Sequence, residues 1–273
     1  MPLKRKMVLG SNWKIYISSR DEARTYARRL KQELKTYDTG IVEAYILPDF
    51  LNLDAVSGAL GSLPVSLGAQ DVCWEESGAY TGEVSPLLLK EAGCKYVMLG
   101  HSERRSFFGE SDEDVNKKVL ACYRNGMVPL VLIGETREER DKDLAMDVIK
   151  TQLKTCLDGI PADFLRELVI MYEPRWAIGC KDAASPEIIE ISHQMVRRGI
   201  EELYDADVSQ AIRIIYGGSV NLENAGRILS IPDVDGLGIT RASLDPVKFA
   251  GFIRITEKEA KKRRKIGIDA GGK

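Results

Sequence analysis

Histidine and paired cysteine are scarce in this sequence. Histidine occurs twice, as His101 and His193, which is too few for a histidine-rich metal cage. The five cysteines are odd in number and never stand at metal-ligand spacing: Cys73, Cys94, Cys122, Cys156 and Cys180. The sequence therefore favours a metal-free mechanism and free thiols in a reducing cytoplasm.

Net charge and long apolar runs are also lacking. The formal charge is −2, from 39 Lys and Arg against 41 Asp and Glu, which argues against a nucleic-acid or membrane-surface partner. No apolar run approaches the length of a membrane span, and the basic segment 1–10 has too few apolar residues behind it for a secretory signal. We expect a cytoplasmic protein.

The chain is instead rich in short β-branched runs that alternate with amphipathic stretches. The eight strand candidates are 8–11, 43–47, 65–69, 96–100, 128–133, 168–172, 213–216 and 234–239. A helical pattern follows each of them and is weakest after the second and third. Ser111 and Ser185 have the sequence context of helix N-caps. Eight β-then-α units predict a parallel sheet, either closed as a barrel or open.

Two observations favour the closed barrel. No Gly-x-Gly-x-x-Gly motif follows the first strand. Chemically distinctive residues follow strands 1, 4, 6, 7 and 8, and a barrel gathers all such loops on one face. We expect one α/β domain, a (β/α)₈ barrel, over residues 1–257. Residues 258–273 are interpreted as a basic C-terminal tail that extends the last helix into solvent, or alternatively as a docking segment for an anionic partner.

Three side chains at strand ends are candidate catalytic residues. Lys14 could hold an oxyanion or a phosphate, although an exposed loop lysine is the better explanation when the residue is taken alone. His101 faces the N–H groups of a following helix, which disfavour its protonation, and it could donate a hydrogen bond to a carbonyl. Glu173 precedes Pro174, which gives it the fixed position that a general base needs. The alternatives are a structural histidine and a strand-end acid.

Two loops are candidates for binding and covering a ligand. The stretch that follows Glu173, as far as Ala184, contains an aromatic residue and a glycine before a well-capped helix, which is typical of a lid. Tyr216-Gly217-Gly218-Ser219 follows strand 7. Its paired glycines let backbone N–H groups approach a ligand, and a helix N-terminus there favours phosphate. Barrels often bind phosphate after strands 7 and 8.

The motifs together carry a resemblance to a known family. They are Asn12-Trp13-Lys14, Gly78-Ala79-Tyr80-Thr81-Gly82-Glu83, Gly100-His101-Ser102-Glu103-Arg104-Arg105, Gly134-Glu135-Thr136, Tyr172-Glu173-Pro174 with Trp176-Ala177-Ile178-Gly179, and Tyr216-Gly217-Gly218-Ser219. In this order and spacing, from about residue 8 to residue 257, the chain resembles the triosephosphate isomerase family. The resemblance implies a TIM (β/α)₈ barrel and an aldose–ketose isomerase of glycolysis and gluconeogenesis.

The resemblance also implies roles for individual residues. Glu173 would take the proton beside the substrate carbonyl, and His101 would polarise that carbonyl and shuttle protons. Lys14 and Asn12 would stabilise the enediolate. The remaining implied roles are support of the site by Glu103 and phosphate binding by the backbone N–H groups of Gly179 and Ser219. The reaction would need no metal or cofactor, and the family forms homodimers through the loop that carries Thr81.

The chain departs from the family at the phosphate end and in the lid. Thr240 and Arg241 stand where the family has two glycines after strand 8. Cys180-Lys181-Asp182 replaces the usual Thr-Gly-Lys, and Ile15-Tyr16 replaces the common Met-Asn. Without glycine the path of the strand 8 loop is uncertain, since only glycine adopts positive φ freely.

These departures keep three functional hypotheses open. The first is an isomerase of dihydroxyacetone phosphate and D-glyceraldehyde 3-phosphate. The second is an isomerase of a four-carbon ketose phosphate such as L-erythrulose 1-phosphate, since Arg241 resembles what is expected in the tetrulose-phosphate branch of the family. The third is an inactive homologue that binds phosphometabolites, against which intact Lys14, His101 and Glu173 argue.

Overall fold

A computed structural model describes residues 5–180 and 182–269 of the chain. Eight parallel strands form a closed barrel in the order β1 to β8, with β1 paired to both β2 and β8. The strands are β1 Met7–Asn12, β2 Val42–Leu47, β3 Val65–Ala69, β4 Cys94–Leu99, β5 Val128–Ile133, β6 Val169–Tyr172, β7 Arg213–Gly217 and β8 Gly236–Ile239. The predicted (β/α)₈ barrel is confirmed, and each strand lies within two residues of its predicted bounds.

Helices surround the barrel. The α-helices are α1 Arg20–Glu33, α2 Leu53–Leu60, α3 Pro86–Glu91, α4 Ser102–Phe108, α5 Asp112–Arg124, α6 Arg137–Asp141, α7 Ala145–Cys156, α8 Ala162–Leu165, α9 Pro186–Leu203, α10 Ala206–Ala211, α11 Leu222–Leu229 and α12 Pro246–Asp269. Short 3₁₀ helices span Phe50–Asn52, Arg175–Ala177 and Arg241–Leu244. No helix in the described part of the chain is long and apolar enough to cross a bilayer.

The two predicted helix caps are present. The Ser111 side chain accepts a hydrogen bond from the backbone of Asp114 at the start of α5, and the Asp114 side chain accepts one in return. Ser185 caps α9, and Pro186 occupies its first turn, where a missing N–H costs nothing. These caps fix where the helices begin relative to the strands before them.

The barrel interior is filled by side chains and is not a channel. Tyr45 and Tyr96 stack inside it with ring centroids 4.7 Å apart. Gly10 has no side chain because a Cβ there would lie 2.0 Å from the Tyr45 ring. Because the middle is packed in this way, a ligand can enter only from an end of the barrel.

At the amino ends of the strands, Glu43 is surrounded by cations. Its carboxylate accepts hydrogen bonds from the Tyr96 hydroxyl and from Arg213, the latter at 3.1 Å. Lys95 and Lys6 lie 3.4 and 3.6 Å away. Burial would raise the pKa of this carboxyl, but the Tyr96 hydroxyl and the three cations outweigh burial and lower its pKa to about 2.

Asp235, which precedes β8, forms a second such network. It accepts hydrogen bonds from Arg5 at 2.8 Å and Arg197 at 3.1 Å, and Arg263 of α12 lies 4.0 Å away. Arg263 also donates to the carbonyl oxygens of Leu229, Ile231, Pro232 and Val234. The predicted boundary between residues 257 and 258 therefore falls inside α12. The extension of this helix contacts the body of the protein through Arg263 and through Arg264, which donates to the Gly40 carbonyl at 2.8 Å.

Candidate active site

A cavity of about 670 Å³ opens at the carboxyl ends of the strands. Loops after β1, β4, β6, β7 and β8 form its walls. All nine predicted site residues line it: Asn12, Lys14, His101, Glu103, Glu173, Gly179, Ser219, Thr240 and Arg241. The topology thus brings together residues that are up to 229 positions apart in the sequence.

Lys14 is aimed into the cavity by a strained turn. Its φ is +48°, a conformation that non-glycine residues rarely adopt, and the Asn12 side chain stabilises it by accepting the Lys14 N–H at 2.9 Å. The Lys14 ammonium then lies 2.6 Å from Glu103 Oε1. Asn12 therefore acts on the position of Lys14 as well as lining the cavity.

The His101 ring is held in one orientation and one tautomer. His101 caps α4, and its Nδ1 accepts the backbone N–H of Glu103 at 3.1 Å. Because Nδ1 is an acceptor, the ring proton is on Nε2. Nε2 lies 3.5 Å from Glu173 Oε1, beyond hydrogen-bond length for a well-formed N–H···O contact. The Nε2–H is therefore available to a substrate oxygen.

Glu173 has a rigid backbone and a loosely held carboxylate. Its N–H donates to the Ile133 carbonyl at 2.8 Å. Gly134 lets the two loops approach, since a Cβ there would lie 2.1 Å from the Glu173 carbonyl oxygen. Among the described residues, the one hydrogen bond that the carboxylate accepts is a long one, 3.3 Å, from the Ser102 N–H. Such a carboxylate can move toward a substrate at little cost.

The predicted lid, residues 174–184, is held by a hydrogen bond near each end. At the start, the Trp176 indole donates to Glu135 at 2.9 Å, and Glu135 is fully buried. At the end, the Ala184 N–H donates to the Tyr216 hydroxyl at 3.1 Å. Residues Ile178 to Cys180 form part of the cavity wall. Lys181, which the sequence places in the lid, lies outside the described residues.

The candidate phosphate-binding end of the cavity contains the backbone N–H groups of Gly179 and Ser219. Gly179 has φ +74° and Ser219 has φ +45°. Among the described residues, neither of their N–H groups has a hydrogen-bond acceptor. The Ser219 hydroxyl donates to the Cys180 carbonyl at 2.7 Å and joins this loop to the lid. Unpaired N–H groups on two neighbouring loops are suited to binding an anion.

The loop after β8 does not need the two glycines. Thr240 has φ −117°, and Arg241 is not among the described residues with positive φ. Neither residue therefore adopts the positive φ for which glycine would be needed in this loop. Ser243 holds the loop: its hydroxyl donates to the Thr240 carbonyl at 2.8 Å and accepts the Ser11 hydroxyl at 2.7 Å.

Two cations at this end lack partners. Arg241 and Lys248 are exposed and line the cavity, and within residues 5–180 and 182–269 neither side chain has a hydrogen bond or an ion pair. Sequence reasoning missed Lys248, although its place in the first turn of α12 after β8 was a usable signal. It also gave no role to Glu135. No cluster of three metal-binding side chains occurs in the described part of the chain.

Comparisons with known proteins agree on one family. A family profile described as triosephosphate isomerase matches residues 7–256. The triosephosphate isomerase of Geobacter metallireducens is 41% identical over 249 residues, which is 91% of this chain and 98% of that protein. That of Alkaliphilus oremlandii is 43% identical over 249 residues, 91% and 99% of the two chains. That of Moorella thermoacetica is 40% identical over 249 residues, 91% and 98%.

Proposed function

The chain belongs to the triosephosphate isomerase family, and from this premise we propose that it interconverts dihydroxyacetone phosphate and D-glyceraldehyde 3-phosphate with Lys14, His101 and Glu173 as catalytic residues. The observation that carries the residue assignment is the gap between His101 Nε2 and Glu173 Oε1. At 3.5 Å, these atoms face each other across one wall of the cavity without a tight mutual bond. An acid and a base so placed can both reach one small substrate.

The reaction divides into proton transfers. Glu173 removes a proton from the carbon beside the carbonyl, and the electron pair moves to the carbonyl oxygen to form an enediolate. The His101 Nε2–H and the Lys14 ammonium stabilise that negative charge. Glu173 returns the proton to the neighbouring carbon, while His101 exchanges protons between the two oxygens. These side chains account for every transfer without a cofactor.

Phosphate binding is the second part of the proposal. The N–H groups of Gly179, Ser219 and the Thr240–Arg241 loop hold the dianion, with the Arg241 and Lys248 side chains at the rim. Glu103 positions Lys14 through their 2.6 Å ion pair. The lid covers the site and excludes water, which strengthens these interactions and protects the enediolate.

Steady-state kinetics test the assignment. We expect ordinary triose turnover, with kcat/KM for D-glyceraldehyde 3-phosphate far above that for L-erythrulose 1-phosphate. Tetrulose activity that falls in Arg241→Gly while triose activity rises would instead establish the four-carbon substrate. No turnover of either substrate, with 2-phosphoglycolate still bound, would identify an inactive phosphometabolite-binding protein.

We also propose a homodimer formed through the loop around Thr81. That loop is exposed, and large apolar side chains are exposed close in sequence to catalytic residues: Ile15 at 87%, Phe107 at 76% and Phe108 at 71%. Burying them between two copies would remove apolar surface from water. Sedimentation of the wild type and of Phe108→Asp tests this, with a monomeric wild type as the contrary result.

A further inference from the structure

His193 lies behind the lid, away from the cavity. It is on α9 and fully buried, and its Nδ1–H donates to the Ile189 carbonyl at 2.8 Å. The ring contacts two tyrosines. The Tyr172 ring lies edge-on with its centroid 5.7 Å away, and the Tyr216 ring lies at a tilt of 42° and 6.2 Å away.

Each of these tyrosines is connected by hydrogen bonds to one end of the lid. The Tyr172 hydroxyl donates to Glu135 at 3.0 Å, and the same carboxylate oxygen accepts the Trp176 indole at 2.9 Å. The Tyr216 hydroxyl accepts the Ala184 N–H at 3.1 Å. His193 therefore contacts Tyr172, which is linked through Glu135 to the start of the lid. It also contacts Tyr216, which is bonded directly to the end of the lid.

A histidine is a costly residue to bury in this place. Within the described residues its Nε2 has no hydrogen-bond partner, although it is buried. Burial is the largest influence on the ring and lowers the pKa of His193 to about 4, so the ring is neutral at neutral pH. An apolar side chain would avoid the unpaired nitrogen. What the imidazole adds is a flat ring whose orientation is fixed by the bond to Ile189.

We propose that His193 is a positioning residue that holds Tyr172 and Tyr216 together, so that both ends of the lid are fixed by one ring. The inference rests on the proposed function only in that the lid covers the enediolate. Loss of the ring frees both tyrosine hydroxyls to shift, and the lid then opens while the intermediate is present. Glu173, His101 and Lys14 are untouched by this change.

An open lid has a chemical signature. In an exposed enediolate, the electron pair forms a new carbon–carbon double bond as the C–O bond to phosphate breaks. Inorganic phosphate leaves with the bonding pair, and the remaining enol tautomerises to methylglyoxal. The ratio of phosphate released to triose isomerised therefore reports lid closure, whereas a general loss of stability does not change it.

The experiment compares His193→Ala and His193→Phe with Val196→Ala. Val196 is also fully buried on α9, so its variant is a matched control for lost packing. We expect His193→Ala to raise the phosphate-to-isomerisation ratio several-fold and to weaken binding of 2-phosphoglycolate. His193→Phe, which keeps a flat ring, should stay nearer the wild type, and Val196→Ala should leave the ratio unchanged.

Other outcomes overturn the proposal. An unchanged ratio in His193→Ala, or an equal rise in Val196→Ala, would do so. If His193→Ala does not fold, His193→Gln takes its place, and failure of both while Val196→Ala folds would reduce His193 to a structural role. Amide hydrogen exchange at Ala184 can be measured without enzymatic turnover, so it tests the role of His193 independently of the proposed function. A wild type that fails to isomerise would refute the proposed function, and faster exchange at Ala184 in the variant would still support the role of His193.

Discussion

Some charged side chains at the two ends of the barrel differ in how many partners they have. At the amino ends, Glu43 and Asp235 are each surrounded by several cations at close range. At the carboxyl ends, Arg241 and Lys248 have no partner among the described residues, and Lys14 has one. Charged side chains that are paired with several neighbours stabilise the fold, whereas unpaired ones are available to bind a ligand. Substitutions at the two ends should therefore affect different measurements.

The largest effect on activity is expected for Glu173→Asp. Shortening the base by one methylene moves its carboxylate by about an ångström, and such misplacement lowers kcat on the order of 10²-fold. The backbone bond to Ile133 is kept, so the melting temperature should stay at the wild-type value. Initial-rate assays measure kcat, and thermal unfolding measures the melting temperature. Unchanged turnover would remove Glu173 from the role of base.

At the other end, Glu43→Gln should lower stability and leave kcat unchanged. The substitution removes the charge that pairs with the buried Arg213 guanidinium, at a cost of about 1–3 kcal/mol in the free energy of unfolding. Urea unfolding at pH 7 gives the number. A fall in kcat at unchanged stability would reverse the comparison between the two ends.

The same carboxyl predicts a pH dependence. Its pKa is about 2 in the folded chain against an ordinary 4.5, so the unfolded state binds the proton first. The stabilisation by Glu43 is complete above pH 4.5 and is lost as pH falls toward 2. We expect wild-type stability to decline more steeply over this window than that of Glu43→Gln. Parallel curves would show that this carboxyl is not the group responsible.

A smaller effect is expected at the open rim. Arg241→Gln should raise KM for D-glyceraldehyde 3-phosphate by about two- to fivefold at low salt, as for a solvent-exposed charge contact. The difference should shrink as added salt screens the charge. The KM of Lys248→Gln, measured under the same conditions, distinguishes the contribution of Lys248 from that of Arg241. A salt-independent change in kcat would place Arg241 in the chemistry instead.

The last prediction needs no substitution and concerns the tautomer of His101. In the neutral ring the proton should be on Nε2, because the Glu103 N–H donates to Nδ1. Nitrogen NMR of the free enzyme distinguishes the two ring nitrogens directly. A neutral ring with its proton on Nδ1 would contradict the assigned tautomer.

How far the sequence predicts this molecule depends on whether the signal is local. Short-range patterns predict the strand positions and the helix caps at Ser111 and Ser185. They also predict the strand-end residues Lys14 and Glu173. The role of His193 could not be found in this way, because its two tyrosine neighbours come from β6 and β7. The path at Thr240 was also hidden, since it depends on a hydrogen bond from Ser11 to Ser243 across 232 positions.

The network around Asp235 also bears on how the chain is made. Arg5 reaches this carboxylate from just before β1, while Arg263 approaches it from the last helix. A ribosome releases the first strand long before the eighth, and at about 5–20 residues per second the interval is roughly tens of seconds. During that time the edge of β1 that will pair with Gly236 to Ile239 is an open template. During synthesis, the unpaired backbone groups of β1 must therefore be kept from pairing with other strands until β8 is made.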